Sequence, residues 1–170
     1  MKSKNSIILF VVICIFFISI AFLYKTIQIA KQRKITHQFF PVFSLSDLHG
    51  DIFTQDSLKR NTPALFLFFD PECETCHSEF NQIKLNQNAF INSQIIFFST
   101  QPADTIIHFL NNIAFEPSSN MIFLIDDKVS LIKTMEIKGP PTSLIYNKNG
   151  ELIKRFDGPV KVETLIKYLQ

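Results

Sequence analysis

Cys73 and Cys76 lie within "FFDPECETCHSEF", Phe68 to Phe80, and thiols at this spacing suit two chemistries. As C-x-x-C they form a dithiol that exchanges with disulfides. As C-x-x-C-H they hold a haem covalently, with His77 on the iron. A dithiol catalyst needs one thiol exposed and partly ionised, and a second within reach to resolve the mixed disulfide. At i and i+3 on the first turn of a helix, Cys73 and Cys76 meet that need. Cys73 then sits at the helix N-terminus, where free N–H groups and the dipole favour a thiolate. A purely structural disulfide would close a very short loop, with little entropic gain. A zinc site needs two more ligands, and the sequence holds no second C-x-x-C and no H-x-x-x-H; His37, His49 and His108 are scattered. Against haem stand several strand-like apolar runs, where a small cytochrome is mostly helical. Nothing marks Met121 or Met135 as a second axial ligand.

Positioning the pair requires a strand that ends just before it and a helix that begins with it. "ALFLFF", Ala64 to Phe69, is a continuous apolar run of strand length, expected in the centre of a sheet and buried on both faces. Asp70-Pro71 signals a turn. "HSEFNQIKLNQN" reads as a helix with Phe80, Ile83 and Leu85 turned inward. Upstream, Val42, Phe43 and Leu45 suggest a short strand, Gly50 a turn, and Ile52-Phe53 a return to the core. Downstream the pattern repeats: strand Gln94–Ser99, helix Ala103–Asn112, strand Met121–Asp126, helix Val129–Glu136. After Gly139-Pro140-Pro141 come a strand, the turn "NKNG", a partner strand Glu151–Gly158 and a closing helix Val160–Leu169. This order argues an α/β domain around a central mixed sheet.

Ahead of that domain, Ile7 to Tyr24 carries no charge. At about 1.5 Å per residue it spans ~27 Å, close to a bilayer core of about 30 Å. No small-x-small cleavage site follows. The expected organisation is a cytoplasmic tail over residues 1–6, a transmembrane anchor over 7–24, a basic linker over 25–38 and a folded domain over 39–170. Lys2 and Lys4 on one side and Lys25, Lys31, Arg33 and Lys34 on the other leave the flanking charge undecided on orientation. A net charge of +2, with no basic stripe interleaved with aromatics, gives no sign of nucleic-acid binding. The 19 Phe and absence of Trp read as a plain bulky core. No metal or cofactor is expected.

Three segments together carry a resemblance. "FPVFSLSDLHGDIFTQDSL", "FFDPECETCHSEF" and "GPPTSLIYNKNGELIKRFDG" resemble the opening, active-site and Gly-x-Pro-Thr segments of the thioredoxin superfamily. They are most similar to the membrane-anchored TlpA/ResA-like thiol–disulfide oxidoreductases of the redoxin branch. The resemblance implies a thioredoxin-like fold, extracytoplasmic protein thiols and disulfides as substrates, an unidentified electron donor and the reducing direction. It implies that Cys73 is the nucleophile and Cys76 the resolving thiol of a redox-active disulfide. Pro141 matches the cis-proline that presents backbone to a substrate, with Pro140 and Thr142 beside it. Glu79 matches an acid of the ResA-like subgroup that could move a proton during exchange; read without the resemblance, it is a solvated acid near a helix start. The chain departs from the family at Glu72, where Trp is usual, at Thr75, where Pro is usual, and at Leu67, where thioredoxin has a buried aspartate. Two rival functions stay open. A peroxiredoxin frame fits Pro71 and Thr75 but places Ser78 where the peroxidatic cysteine belongs. A tethered binding module without catalysis is the other.

Overall fold

The computed structural model describes residue 13, residues 15–26 and residues 39–170. The chain divides into two units, Met1–Thr36 and His37–Gln170. In the first, residues 15–26 are helical, with Ile15, Phe16, Phe17, Phe22 and Leu23 exposed. Among the described residues no helix is long and apolar enough to cross a membrane. The expected anchor over 7–24 falls partly outside them, as do residues 1–6 and most of the linker over 25–38.

The second unit is a seven-stranded mixed sheet in the order β2-β1-β5-β4-β3-β6-β7. Its strands are β1 (Ser44–Asp47), β2 (Ile52–Thr54), β3 (Ala64–Phe68), β4 (Gln94–Ser99), β5 (Met121–Ile125), β6 (Thr142–Tyr146) and β7 (Leu152–Asp157). Its helices are α1 (Glu74–Leu85), α2 (Ala103–Asn112), α3 (Ser130–Thr134) and α4 (Val162–Leu169). The central strands β3, β4 and β5 run parallel, and β6 returns antiparallel beside β3. Every residue of β3 and β4 is buried. That is why β3 and residues 95–98 of β4 are unbroken apolar runs rather than alternating ones.

The phenylalanines fill both faces. Leu65, Leu67, Phe69, Phe80 and Phe97 pack on the face that carries α1, α2 and α4, and Phe66, Phe68 and Phe98 on the face that carries α3. Phe97 stacks on Phe123 at 4.6 Å, and Phe80 lies 4.8 Å from Phe97. Fully burying such a side chain is worth about 1.5–3 kcal/mol. The rings between α1 and the sheet therefore fix the helix that begins at the cysteines.

Some local expectations are corrected. Leu85 is 82% exposed at the end of α1, and Phe90, in the 3-10 turn Gln87–Phe90, is buried beyond it. Val42 and Ile52 are exposed: Val42 precedes β1, and Ile52 is on the edge strand β2, which has one neighbour. The helix expected over Val129–Glu136 shortens to α3, because Val129 and Glu136 take φ of +57° and +50°. Buried Asp126 starts it, accepting from the N–H groups of Ser130 and Ile132 and the Ser130 hydroxyl.

Candidate active site

The chain leaves β3 and turns at Asp70-Pro71. The Cys73 N–H donates to the Asp70 carbonyl at 3.0 Å, a turn with Pro71 at its second position, where the fixed φ of proline suits it. Asp70 Oδ1 accepts the Glu72 N–H at 2.9 Å, and its Oδ2 accepts from Gln101 Nε2 at 3.4 Å. The turn delivers Cys73 to the N-cap of α1 in an extended conformation. There its Sγ accepts the Cys76 N–H at 3.3 Å, as a capping oxygen would. The Thr75 hydroxyl lies 3.2 Å from the same sulfur. Both thiols are free; Cys73 is half-buried, and Cys76, a turn inside, is 1% exposed. Burial pushes the Cys76 thiol far above its usual range, with Cys73 and Glu79 acting in the same direction and the Asp70 backbone against it.

Glu79 sits one turn beyond Cys76 and is 2% exposed, so it is not a solvated acid. Its Oε1 accepts from the Ser143 hydroxyl at 3.4 Å, and its Oε2 has no hydrogen-bond partner among the described residues. Burial pushes this carboxyl up to about 7, against the Ser143 hydrogen bond, which lowers it. Leu67 pairs with Ser143 across β3 and β6. The sheet is apolar at Leu67, and the acid comes from the helix.

The Pro140-Pro141 bond is cis. The Thr142 hydroxyl donates to the Gly139 carbonyl at 2.7 Å, and the Gly158 N–H donates to the Pro141 carbonyl at 2.9 Å. Thr142 pairs with Phe68, so the start of β6 and the end of β3 lie side by side. The fold thus brings Pro140, Pro141 and Thr142 to the sheet end from which Cys73 departs.

His77 is half-buried. Its Nε2 donates to the Pro71 carbonyl at 2.7 Å and its ring stands edge-on to Phe109. Met121 and Met135 are core side chains on opposite faces of the sheet. His77 and the two methionines, candidate iron ligands in the haem reading, are therefore engaged elsewhere in the fold. Sequence reasoning missed Asp70, Thr75 and Ser143 as contributors. Asp-Pro ahead of the cysteines was a signal for the first, but nothing local marked Ser143, which meets Glu79 only through the pairing of β6 with β3.

A profile of the thioredoxin-like domain matches residues 52–170. None of the curated proteins matches the chain in sequence. Among solved structures, the chain is similar to a secreted Mycobacterium tuberculosis disulfide oxidoreductase homologous to E. coli DsbE. That pair shares 18% identity at a TM-score of 0.64, over 79% of this chain and 96% of the other. It is similar to StoA from Bacillus subtilis, with 20% identity and a TM-score of 0.62 over 76% and 96%. It is also similar to a thiol:disulfide interchange protein from Chlorobium tepidum, with 17% identity and a TM-score of 0.65 over 78% and 93%. At these identities the likeness is one of fold.

Proposed function

The chain belongs to the thioredoxin-like domain family, and from that membership we propose that it is a membrane-anchored oxidoreductase that reduces disulfides in extracytoplasmic proteins. The observation that carries the reading is the placement of the two thiols. One is half-exposed at a helix N-cap, its sulfur facing an N–H and a hydroxyl; the other is buried a turn inside, with a buried acid beyond it.

In the forward direction the Cys73 thiolate attacks a client disulfide, forming a Cys73–client bond and releasing one client thiolate. Cys76 then gives its proton to the Glu79 carboxylate and attacks Cys73 Sγ. The mixed disulfide breaks, the second client thiolate leaves, and the protein holds a Cys73–Cys76 disulfide. Two electrons have passed to the client, and an electron donor, itself a thiol, restores the dithiol. A carboxyl poised near 7 suits both halves of the cycle: ionised it takes the Cys76 proton, and protonated it returns one to the departing Cys76.

The reducing direction follows the resemblance to the TlpA/ResA-like oxidoreductases. Pro140, Pro141 and Thr142 form the substrate-facing backbone in this reading. The anchor rests on the apolar run over 7–24, with its cytoplasmic tail and the domain outside.

Alkylation trapping in cells tests the reading. Cys73 and Cys76 are expected mainly as free thiols that oxidise when the electron supply is cut. A pair that stays in one state under both conditions would contradict it.

A further inference from the structure

We propose that Ser143 is the positioning residue of the proton-transfer step, its hydroxyl holding the Glu79 carboxyl in place for the proton that leaves Cys76. This rests on the reading of Glu79 as the group that takes the Cys76 proton.

Glu79 projects from α1 toward a sheet face that is otherwise hydrocarbon. Ser143 is flanked by Leu67 on β3 and Phe156 on β7, and Phe69 and Phe80 belong to the same cluster. In such surroundings an ionised carboxylate without a donor is costly. Oε2 has none among the described residues, and among them the hydrogen bond that Oε1 accepts from Ser143 is the only one the carboxyl receives. Ser143 itself is fully buried, so its hydroxyl has no solvent to turn to.

The other charged groups nearby do not replace it. Cys76, one turn back on α1, interacts with Glu79 as a like charge when both are ionised. Lys154, two residues from Phe156 on β7, directs its ammonium over the rings of Phe156 and Tyr168, at 5.3 and 5.8 Å. Across α1 and α4, the contact between Gln82 and the Val162 N–H is uncharged. Burial raises the proton affinity of Glu79 and the Ser143 hydrogen bond lowers it. Without that hydroxyl the carboxyl should hold its proton to higher pH. Less of it would then be in the form that deprotonates Cys76. Cys73 chemistry, up to formation of the mixed disulfide, should be unaffected.

The test uses the full chain in detergent and a small disulfide that first loads Cys73, so that resolution by Cys76 is followed alone as a function of pH. In the unaltered protein the resolution rate should rise through an inflection near pH 7. Ser143→Ala should move that inflection up by about one pH unit. Ser143→Thr and Ser143→Val form an isosteric pair that differs only in the hydroxyl. Thr should restore the native inflection and Val should not, which keeps the test valid if one variant is destabilised. Glu79→Gln should remove the inflection, and adding Ser143→Ala to it should change nothing further. If Glu79→Gln flattens the profile while Ser143→Ala and Ser143→Val leave the native inflection in place, the role of Ser143 is overturned and that of Glu79 stands. If Glu79→Gln leaves the profile intact, both fall.

Discussion

At the scale of single residues, the pair of cysteines is asymmetric because one turn of helix separates the N-cap from the core. The same burial that hides Cys76 raises Glu79 from its ordinary 4.5 to about 7, and this has a thermodynamic consequence. Below pH 4.5 the folded and unfolded chains both keep the Glu79 proton, and its stabilising contribution is fully present. Between 4.5 and about 7 the folded chain holds the proton and the unfolded chain releases it, so stability falls as pH rises. The loss is on the order of 3 kcal/mol, complete once pH passes the folded value. Urea midpoints of the unaltered protein should therefore decline across this window. Those of Glu79→Gln should decline less, and equal slopes would mean the carboxyl is not held protonated. Of the candidate site, Cys73 and Cys76 were legible from their spacing at the start of one helix, and Glu79 only through the family resemblance, since read alone it was a solvated acid. Ser143 was not, because a serine in an apolar strand looks the same whether or not an acid lies above it.

At the scale of elements, the central strands were legible as unbroken apolar runs, and α2 spans the expected Ala103–Asn112. What the sequence hid was where apolar residues stop being core. Leu85 keeps the apolar character of α1 but has run past the sheet, and Phe90 is buried beyond it. The ends of α3 were hidden too, because residues such as Val129 and Glu136 rarely adopt positive φ. Two substitutions test the packing. Phe80→Ala should cost about 3–5 kcal/mol, since Phe80 meets Phe69, Phe97, Phe109 and Phe115 between α1 and the sheet. Gly150→Ala should cost about 1–3 kcal/mol. Gly150 has φ of +79°, and a Cβ there would stand 2.9 Å from the Phe40 ring. Both costs are read from denaturant unfolding at fixed pH. A loss below about 1 kcal/mol at Phe80 would mean the ring cluster does not hold the helix that carries the cysteines.

At the scale of the whole molecule, the domain presents its dithiol at one end of the sheet, where the end of β3 meets the start of β6. Phe40, whose N–H donates to the Gly150 carbonyl, joins the β6–β7 turn, which lies beyond the other end of β6. A domain outside the cytoplasmic membrane should be labelled by an impermeant thiol reagent in intact spheroplasts, chiefly at Cys73. Labelling only after lysis would reverse the orientation. The central claim, that Cys73 attacks and Cys76 releases, is tested most directly by expressing the full chain as Cys76→Ser and running the cell extract on a non-reducing gel. On this account the unaltered protein resolves each client intramolecularly, at an effective concentration no free thiol matches. Without Cys76, disulfide-linked complexes should accumulate, disappear with reductant, and be absent when Cys73→Ser is added. A Cys76→Ser chain that captures nothing, alongside a Cys73→Ser chain that still exchanges disulfides, would contradict the account.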